Sequence, residues 1–209
     1  MKSFFEGIIK INHLSNVINL ILFKKTIIVI LFIFSLSCNN KVEEISNNDS
    51  SLSTETVEVY LINNLNESRG YCVDMMGYKE NADVNRPLQA HSCYSYQGDI
   101  SVDQGFDKSK IINEEFFIRH FKICMEAEKL EQSSSLNLNT CDKNQRQKFI
   151  LESDGKIQPK GDLSLCLTVS EDYREGGGGN PVHLIRTLTL EKCNESLSPF
   201  QKWGIRKTN

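Results

Sequence analysis

The chain has 209 residues, with 24 Lys and Arg residues against 27 Asp and Glu residues, for a formal net charge of −3. This balance argues against nucleic-acid binding, which needs a basic surface to displace counterions from phosphates. Its 12 Gly and 4 Pro residues argue against a collagen-like or linker-dominated chain. The apolar residues are unevenly spread, and the first change in composition lies near the N-terminus.

An uncharged segment follows Lys24 and Lys25 and covers residues 26–37. It is too short for a membrane-spanning helix, which needs about 20 apolar residues. A secretory signal has a basic start, an apolar stretch of about 7–15 residues and a small residue at the cut. Cys38 directly follows the small residue Ser37, and this arrangement resembles a bacterial lipoprotein signal. The resemblance implies cleavage before Cys38 and acylation of its thiol, which would anchor the protein to a membrane of the bacterial cell envelope.

Residues 1–38 are therefore predicted to be a signal segment. Ordinary secretion with an unmodified Cys38, or an uncleaved anchor, stays open as an alternative. Without this segment the chain keeps 20 basic and 26 acidic residues, a net charge of −6, so it is not attracted to anionic lipid. Residues 39–56 are rich in Asn, Ser and Glu and are predicted to form a flexible, disordered tether.

Six cysteines remain when Cys38 is set aside, and in an exported chain they predict disulfide bonds. They are Cys72, Cys93, Cys124, Cys141, Cys166 and Cys193. Fifteen connectivities are possible in principle, and pairing neighbours would close loops with separations of 21, 17 and 27 residues. No two of them have the Cys-x-x-Cys spacing of a zinc or redox site, so we expect no metal ligands among them.

A second marker recurs in phase with the cysteines: a glutamine two residues before an aromatic residue. The three copies are Gln104 with Phe106, Gln147 with Phe149, and Gln201 with Trp203. A unit recurring every 40–50 residues or so indicates repeated supersecondary structure with a shared core. Segments rich in β-forming residues predict strands at 57–61, 116–119, 148–151, 165–169 and 188–190. Three such units favour a closed threefold barrel, because one unit alone cannot bury its apolar face.

The pattern of Cys-x-Asp, a second cysteine and Gln-x-Trp, repeated three times, resembles the ricin-type β-trefoil lectin domain. The resemblance covers residues 57–206, and the repeats divide at about residues 57–106, 107–150 and 151–206. It implies an all-β fold, a β-trefoil, that binds carbohydrate without catalysis and without a cofactor. Phe106 and Phe149 depart from the Trp of the family, and the first and third repeats carry insertions.

In this family the Asp binds sugar hydroxyls, an aromatic residue two before the second cysteine stacks on the sugar, and polar side chains complete the hydrogen bonds. Carried over to the first repeat, the pattern implies a carbohydrate-binding site of Asp74, Gln89, His91, Asp103 and Gln104. Residues 72–77 also resemble the first repeat of the lectin domain in GalNAc-transferases, which implies galactose-type or GalNAc-type glycans as ligands.

The other repeats have different residue types at the matching positions. The second repeat has Glu126 for the Asp and Asn139 for the ring, and the third has Thr168 and Glu191. We therefore predict one working site, in the first repeat.

The chain contains no Gly-x-Ser-x-Gly, Walker or His-Glu-x-x-His motif, and we expect a binding protein and not an enzyme. The expected partners are glycans and, through Cys38, a lipid bilayer. The alternative is a β-trefoil that binds protein and has no working sugar site.

Overall fold

The computed structural model describes residues 55–207. The predicted signal segment, Cys38 and nearly all of the predicted tether lie outside these residues. The described strands are β1 (Thr56–Leu61), β2 (Tyr71–Asp74), β3 (Gln89–Ser92), β4 (Phe106–Asp107), β5 (Phe117–Ile118), β6 (Ile123–Ala127), β7 (Ser134–Asn139), β8 (Phe149–Leu151), β9 (Ile157–Pro159), β10 (Leu165–Val169), β11 (Arg174–Glu175), β12 (Leu184–Lys192) and β13 (Trp203–Arg206).

The helices are short. Two α-helices cover Lys108–Ile112 and Ser198–Gln201, and four single 3-10 turns cover Lys79–Asn81, Ser95–Gln97, Gln145–Gln147 and Glu195–Leu197. Within residues 55–207, none of the helices has the length and apolar character needed to cross a membrane.

The strands form a ring of antiparallel pairs. The order β12-β3-β2-β1-β4-β5-β6-β7 closes on itself because β7 also pairs with β12. Strand β13 pairs along β1, with Trp203 opposite Leu61, and so joins the end of the described chain to its start. Each segment predicted as a strand overlaps an observed one. The predicted all-β, threefold architecture is confirmed.

Each repeat contains one disulfide-bonded hairpin. The hairpins are β2–β3, β6–β7 and β10–β12, and their disulfides join Cys72 to Cys93, Cys124 to Cys141, and Cys166 to Cys193. In each hairpin the first cysteine lies opposite the residue two before the second cysteine: His91, Asn139 and Glu191 respectively. The three hairpins therefore have the same register, and the sequence positions compared above are equivalent in space.

The glutamine of each Gln-x-aromatic motif is buried and ties its hairpin together in the same way. Its Nε2 donates to the residue two after the first cysteine, over 3.0 Å to Asp74, 2.7 Å to Glu126 and 2.9 Å to Thr168. Nε2 also donates to the carbonyl before the second cysteine, and Oε1 accepts the N–H of the residue after it, all within 3.3 Å. We call this arrangement the glutamine clamp.

The aromatic residue of each motif lies in the shared core. Phe106, Phe149 and Trp203 are at most 1% exposed, and Phe116 meets Phe106 and Phe149 edge-on at 6.2 and 6.0 Å. The indole N–H of Trp203 donates to the carbonyl of Leu167 over 2.9 Å. Burying such a ring stabilises the fold by about 2–3 kcal/mol, so each motif couples a core anchor to a hairpin clamp.

Replacing Gln147 with Leu is expected to lower the free energy of unfolding by about 2–3 kcal/mol. The change removes the clamp of the second repeat and leaves the buried Glu126 carboxylate with one partner fewer. Urea denaturation of the purified chain measures the loss. Gln145→Leu is the matched control, because Gln145 is exposed two residues away, and it should change stability by less than about 0.5 kcal/mol. Equal stability of the two variants would contradict a structural role for the clamp.

Candidate functional site

Asp74, Gln89 and Gln104, predicted as sugar ligands, form one buried chain of hydrogen bonds. Asp74 and Gln89 face each other across β2 and β3, and Gln89 Nε2 donates to Asp74 Oδ2 over 2.8 Å. Gln104 Nε2 donates to the other carboxyl oxygen over 3.0 Å. Asp74 is 2% exposed and Gln104 is fully buried. The carboxyl group of Asp74 is thus enclosed between two amides.

This burial affects the ionisation of Asp74. Burial and the nearby Asp103 raise the pKa of Asp74 well above its usual range, although the amides of Gln89 and Gln104 oppose the shift. The contact between Asp74 and a sugar stays a prediction, because the two carboxyl oxygens of Asp74 accept from Gln89 and Gln104 and Asp74 is not among the residues that line the cavity beside them. In this arrangement Asp74 orients the amide of Gln89.

Asp103 also lies outside the cavity. Its carboxylate accepts the backbone N–H of Lys79 over 2.7 Å and the hydroxyl of Ser101, while its carbonyl accepts the N–H of Met75. With 1% of its surface exposed, Asp103 fixes the loop that follows β2. A direct contact between Asp103 and a sugar does not fit this placement.

Gln89 and His91 line a cavity of about 650 Å³ beside the Asp74 chain. Tyr78 and Arg86 contribute from the loop between β2 and β3. The opposite side comes from the third repeat, whose insertion between β10 and β12 supplies Arg174, residues 177–179 and His183. The candidate site is therefore shared between the first and third repeats, which the sequence did not indicate.

The insertion is held against the first repeat by hydrogen bonds from Arg69, whose side chain is oriented by an ion pair with Glu67. Arg69 contacts Glu67 over 2.6 Å and donates to the carbonyls of Pro181 and Val182 over 2.9 and 2.8 Å. Strand β12 continues the attachment by pairing with β3, where Ile185 lies opposite His91. The pKa of Glu67 falls to about 2, because the bonds from Arg69 and Ser92 outweigh burial, which alone would raise it.

Gly179 lets the insertion close tightly over the cavity. Its φ is +94°, and a Cβ there would lie 2.8 Å from the ring of His183. Neither Gly179 nor His183 was predicted from the sequence to be part of a site. The only signal for them was the run of glycines at 176–179.

His91 is packed among other rings. The ring of Tyr94 stacks on it at 5.2 Å with an interplanar angle of 27°, and His183 meets it edge-on at 5.0 Å. His91 is 6% exposed, so much of the flat surface expected to stack on a sugar is already covered. Tyr78, which is 57% exposed and lines the cavity, offers an aromatic surface that sequence reasoning missed. The only feature of the sequence that pointed to Tyr78 was its position four residues after Asp74.

The equivalent carboxylate of the second repeat is engaged internally. Glu126 accepts from Gln147, from Asn144 over 2.9 Å and from Arg146 over 2.7 Å. In the third repeat, Thr168 accepts from Gln201 and donates to the carbonyl of Cys166. Neither place carries a ring opposite its first cysteine.

The described residues contain two groupings of carboxylate and cysteine close enough for a metal ion. Glu58 lies near Cys72 and Cys93, and Glu115 lies near Cys124 and Cys141. All four cysteines are in disulfides, so they present no thiolate to a cation.

His91 is expected to make the protein less stable in weak acid. Burial lowers its pKa to about 4 from an ordinary 6.5. Between these values the unfolded chain binds a proton that the folded chain excludes, so stability is complete above about pH 6.5 and falls as the pH drops to about 4. The loss should approach about 3 kcal/mol.

Urea denaturation at several pH values, comparing the wild type with His91→Gln, isolates this contribution. The variant should lose less stability than the wild type between pH 6.5 and 4. His120→Gln, at an exposed histidine of the second repeat, is the control for a lost imidazole. Parallel curves for the wild type and His91→Gln would show that the prediction is wrong.

Comparison with known proteins supports the fold. The family model described as the ricin-type beta-trefoil lectin domain matches residues 114–209, which include most of the second repeat and all of the third but not the candidate site residues of the first. No curated protein matches the chain.

Solved structures resemble the chain at low sequence identity. The solution structure of the mdaA-1 domain has 16% identity and a TM-score of 0.53, covering 72% of this chain and 88% of that one. The designed threefold-symmetric protein ThreeFoil has 14% identity and a TM-score of 0.50, covering 72% and 96%. The C-terminal half of an earthworm R-type lectin, crystallised with GalNAc, has 14% identity and a TM-score of 0.49, covering 73% and 99%. The described part of the chain is therefore a disulfide-bonded β-trefoil, and its residues 114–209 are similar to the ricin-type family model.

Proposed function

We propose that the protein is a non-catalytic lectin that binds carbohydrate in the cavity of the first repeat. The observation that carries the proposal is the oriented amide of Gln89. Its Nε2 donates to Asp74 and its Oε1 accepts from Arg174 over 3.2 Å. An amide has two donor hydrogens and two acceptor lone pairs, so one of each remains for a ligand in the cavity.

This pair of free positions suits a sugar with adjacent hydroxyl groups. A donor and an acceptor side by side can bind two neighbouring hydroxyls, and an aromatic ring can cover the apolar C–H face of a pyranose. Tyr78 supplies an exposed ring in the same cavity. We propose galactose-type or GalNAc-type glycans as the ligand class, on the basis of this pairing and of the sequence resemblance.

A glycan array followed by titration of purified protein tests the proposal. A single shallow site is expected to bind with a Kd of about 1 mM, or about 4 kcal/mol. Gln89→Ala should weaken binding about tenfold or more, because it removes the oriented amide. Asp74→Ala should also weaken binding, because Gln89 loses its anchor.

The matched control is Asn139→Ala, at the second-repeat position equivalent to His91, which should bind like the wild type. Equal retention of the wild type, Gln89→Ala and Asp74→Ala on a galactose resin would contradict a lectin site in this cavity. Absence of binding to every glycan would favour a protein-binding β-trefoil.

We further propose that the lectin is displayed at a membrane surface through a lipid on Cys38. Support comes from the sequence alone, because Cys38 lies outside the described residues. A lipid acyl chain contributes about 0.8 kcal/mol of membrane-binding free energy per buried CH₂ group. Two or more acyl chains on one protein are enough to hold it at a bilayer.

Mass spectrometry of the mature N-terminus is expected to find an acylated Cys38, with residues 1–37 removed. Cys38→Ser should move the protein from the membrane fraction to the soluble fraction, whereas Ser37→Ala, which keeps a small residue at the cut, should not. Recovery of wild-type protein with an unmodified Cys38 would contradict the anchor.

A further inference from the structure

The charges that line the cavity are unusual for this chain. Arg86 and Arg174 both line it, and Asp83 is the one carboxylate among the described lining residues. One oxygen of Asp83 already accepts two hydrogen bonds from Asn85: Oδ1 accepts the backbone N–H over 2.9 Å and the side-chain amide over 3.3 Å. The cavity is thus more cationic than a chain with a net charge of −3 would suggest.

The two arginines of the cavity lack acidic partners. Among residues 55–207, neither Arg86 nor Arg174 forms an ion pair, and the side-chain contact of Arg174 is the neutral amide oxygen of Gln89. Other arginines in the same residues do have carboxylate partners: Arg69 with Glu67, Arg146 with Glu126 and Arg206 with Glu58, at 2.6–3.0 Å.

The remaining titratable groups do not offset this charge. Burial lowers the pKa of both His91 and His183, so these rings are neutral near pH 7. Asp74 lies behind Gln89 with its carboxyl enclosed. The guanidinium groups therefore dominate the field that a ligand meets.

A guanidinium group recognises planar or tetrahedral oxyanions through paired N–H groups, and a charge-assisted hydrogen bond is about twice as strong as a neutral one. We propose that this cavity selects glycans that carry an oxyanion substituent, a carboxylate or a sulfate. Arg174 and Arg86 bind the anionic group while Gln89 contacts the neutral part of the sugar. This inference rests on the proposed lectin function and adds the class of glycan.

The position of Arg174 also gives the ligand room to extend. Arg174, Gln89, Met76 and Ile185 line both this cavity and a neighbouring one of about 360 Å³. Tyr173, which is 55% exposed, and the hydroxyl residue Thr187 line the second cavity. A glycan of more than one unit can therefore extend past the guanidinium of Arg174 into the neighbouring cavity.

The test is a titration of the purified chain with three probes at low and high ionic strength. The probes are N-acetyllactosamine, its 3′-sulfated form and its 3′-sialylated form. At low salt, at least one anionic form should bind about tenfold more tightly than the neutral form, and the ratio should shrink at high salt. The sulfated and sialylated arms separate the two sources of the oxyanion.

Arg174→Gln and Arg86→Gln each should bring the ratio of anionic to neutral affinity towards one. Both side chains are exposed, so the variants are expected to fold. Lys129→Gln is the charge-matched control, because Lys129 is an exposed cation of the second repeat, and it should keep the wild-type ratio.

The outcomes separate this inference from the function on which it rests. Equal binding of all three probes would overturn the anionic preference and leave the lectin proposal standing. An unchanged ratio in both arginine variants would overturn the assignment of the residues. Competition by inorganic sulfate as strong as that of the sulfated glycan would overturn selection of a glycan. Absence of binding by any probe would overturn both proposals together.

Discussion

The glutamine clamp is the interaction on which the architecture depends. Each hairpin has only two strands, and its disulfide links those strands at the open end alone. The buried amide adds a bond to the first strand, a bond to the carbonyl before the second cysteine and a bond from the N–H after it. Two positions along the chain from each amide, an aromatic ring enters the core. Because a buried amide must satisfy its hydrogen bonds, hairpin geometry and core packing are coupled in every repeat.

The clamp meets a different partner in each repeat. Its partner on the first strand is Asp74, Glu126 or Thr168, and all three side chains are buried. In the second repeat the carboxylate of Glu126 also accepts hydrogen bonds from Arg146 and Asn144. In the first repeat the remaining oxygen of Asp74 goes to Gln89, whose amide reaches the cavity. The same structural contact is therefore an internal bond in one repeat and the base of a candidate binding surface in another.

Sequence reasoning predicted the features that are local and repeated. The cysteines, the Gln-x-aromatic motifs and the β-rich segments recur at fixed offsets, and each corresponds to an observed hairpin or strand. Gln89 and His91, which the same reasoning named, line the cavity, and their contact with a sugar stays a prediction; the burial of Asp74 and Asp103 could not be foreseen. Asp103 binds the loop after β2 through the N–H of Lys79, and Asp74 is enclosed by the amides of Gln89 and Gln104; the cavity itself is completed by residues of another repeat. Contacts between distant insertions leave no periodic signal, so Tyr78, Arg174 and His183 were found only in three dimensions.

The insertion anchored by Arg69 has a consequence for valency. A threefold fold with three equivalent sites can hold three ligands on one chain, but here the cavity of the first repeat is completed by a segment that only the third repeat carries. Duplicating the first hairpin would not duplicate the cavity. Under the proposed lectin function one molecule would therefore offer a single site, and strong adhesion would have to come from many copies held side by side, where rebinding raises the effective local concentration.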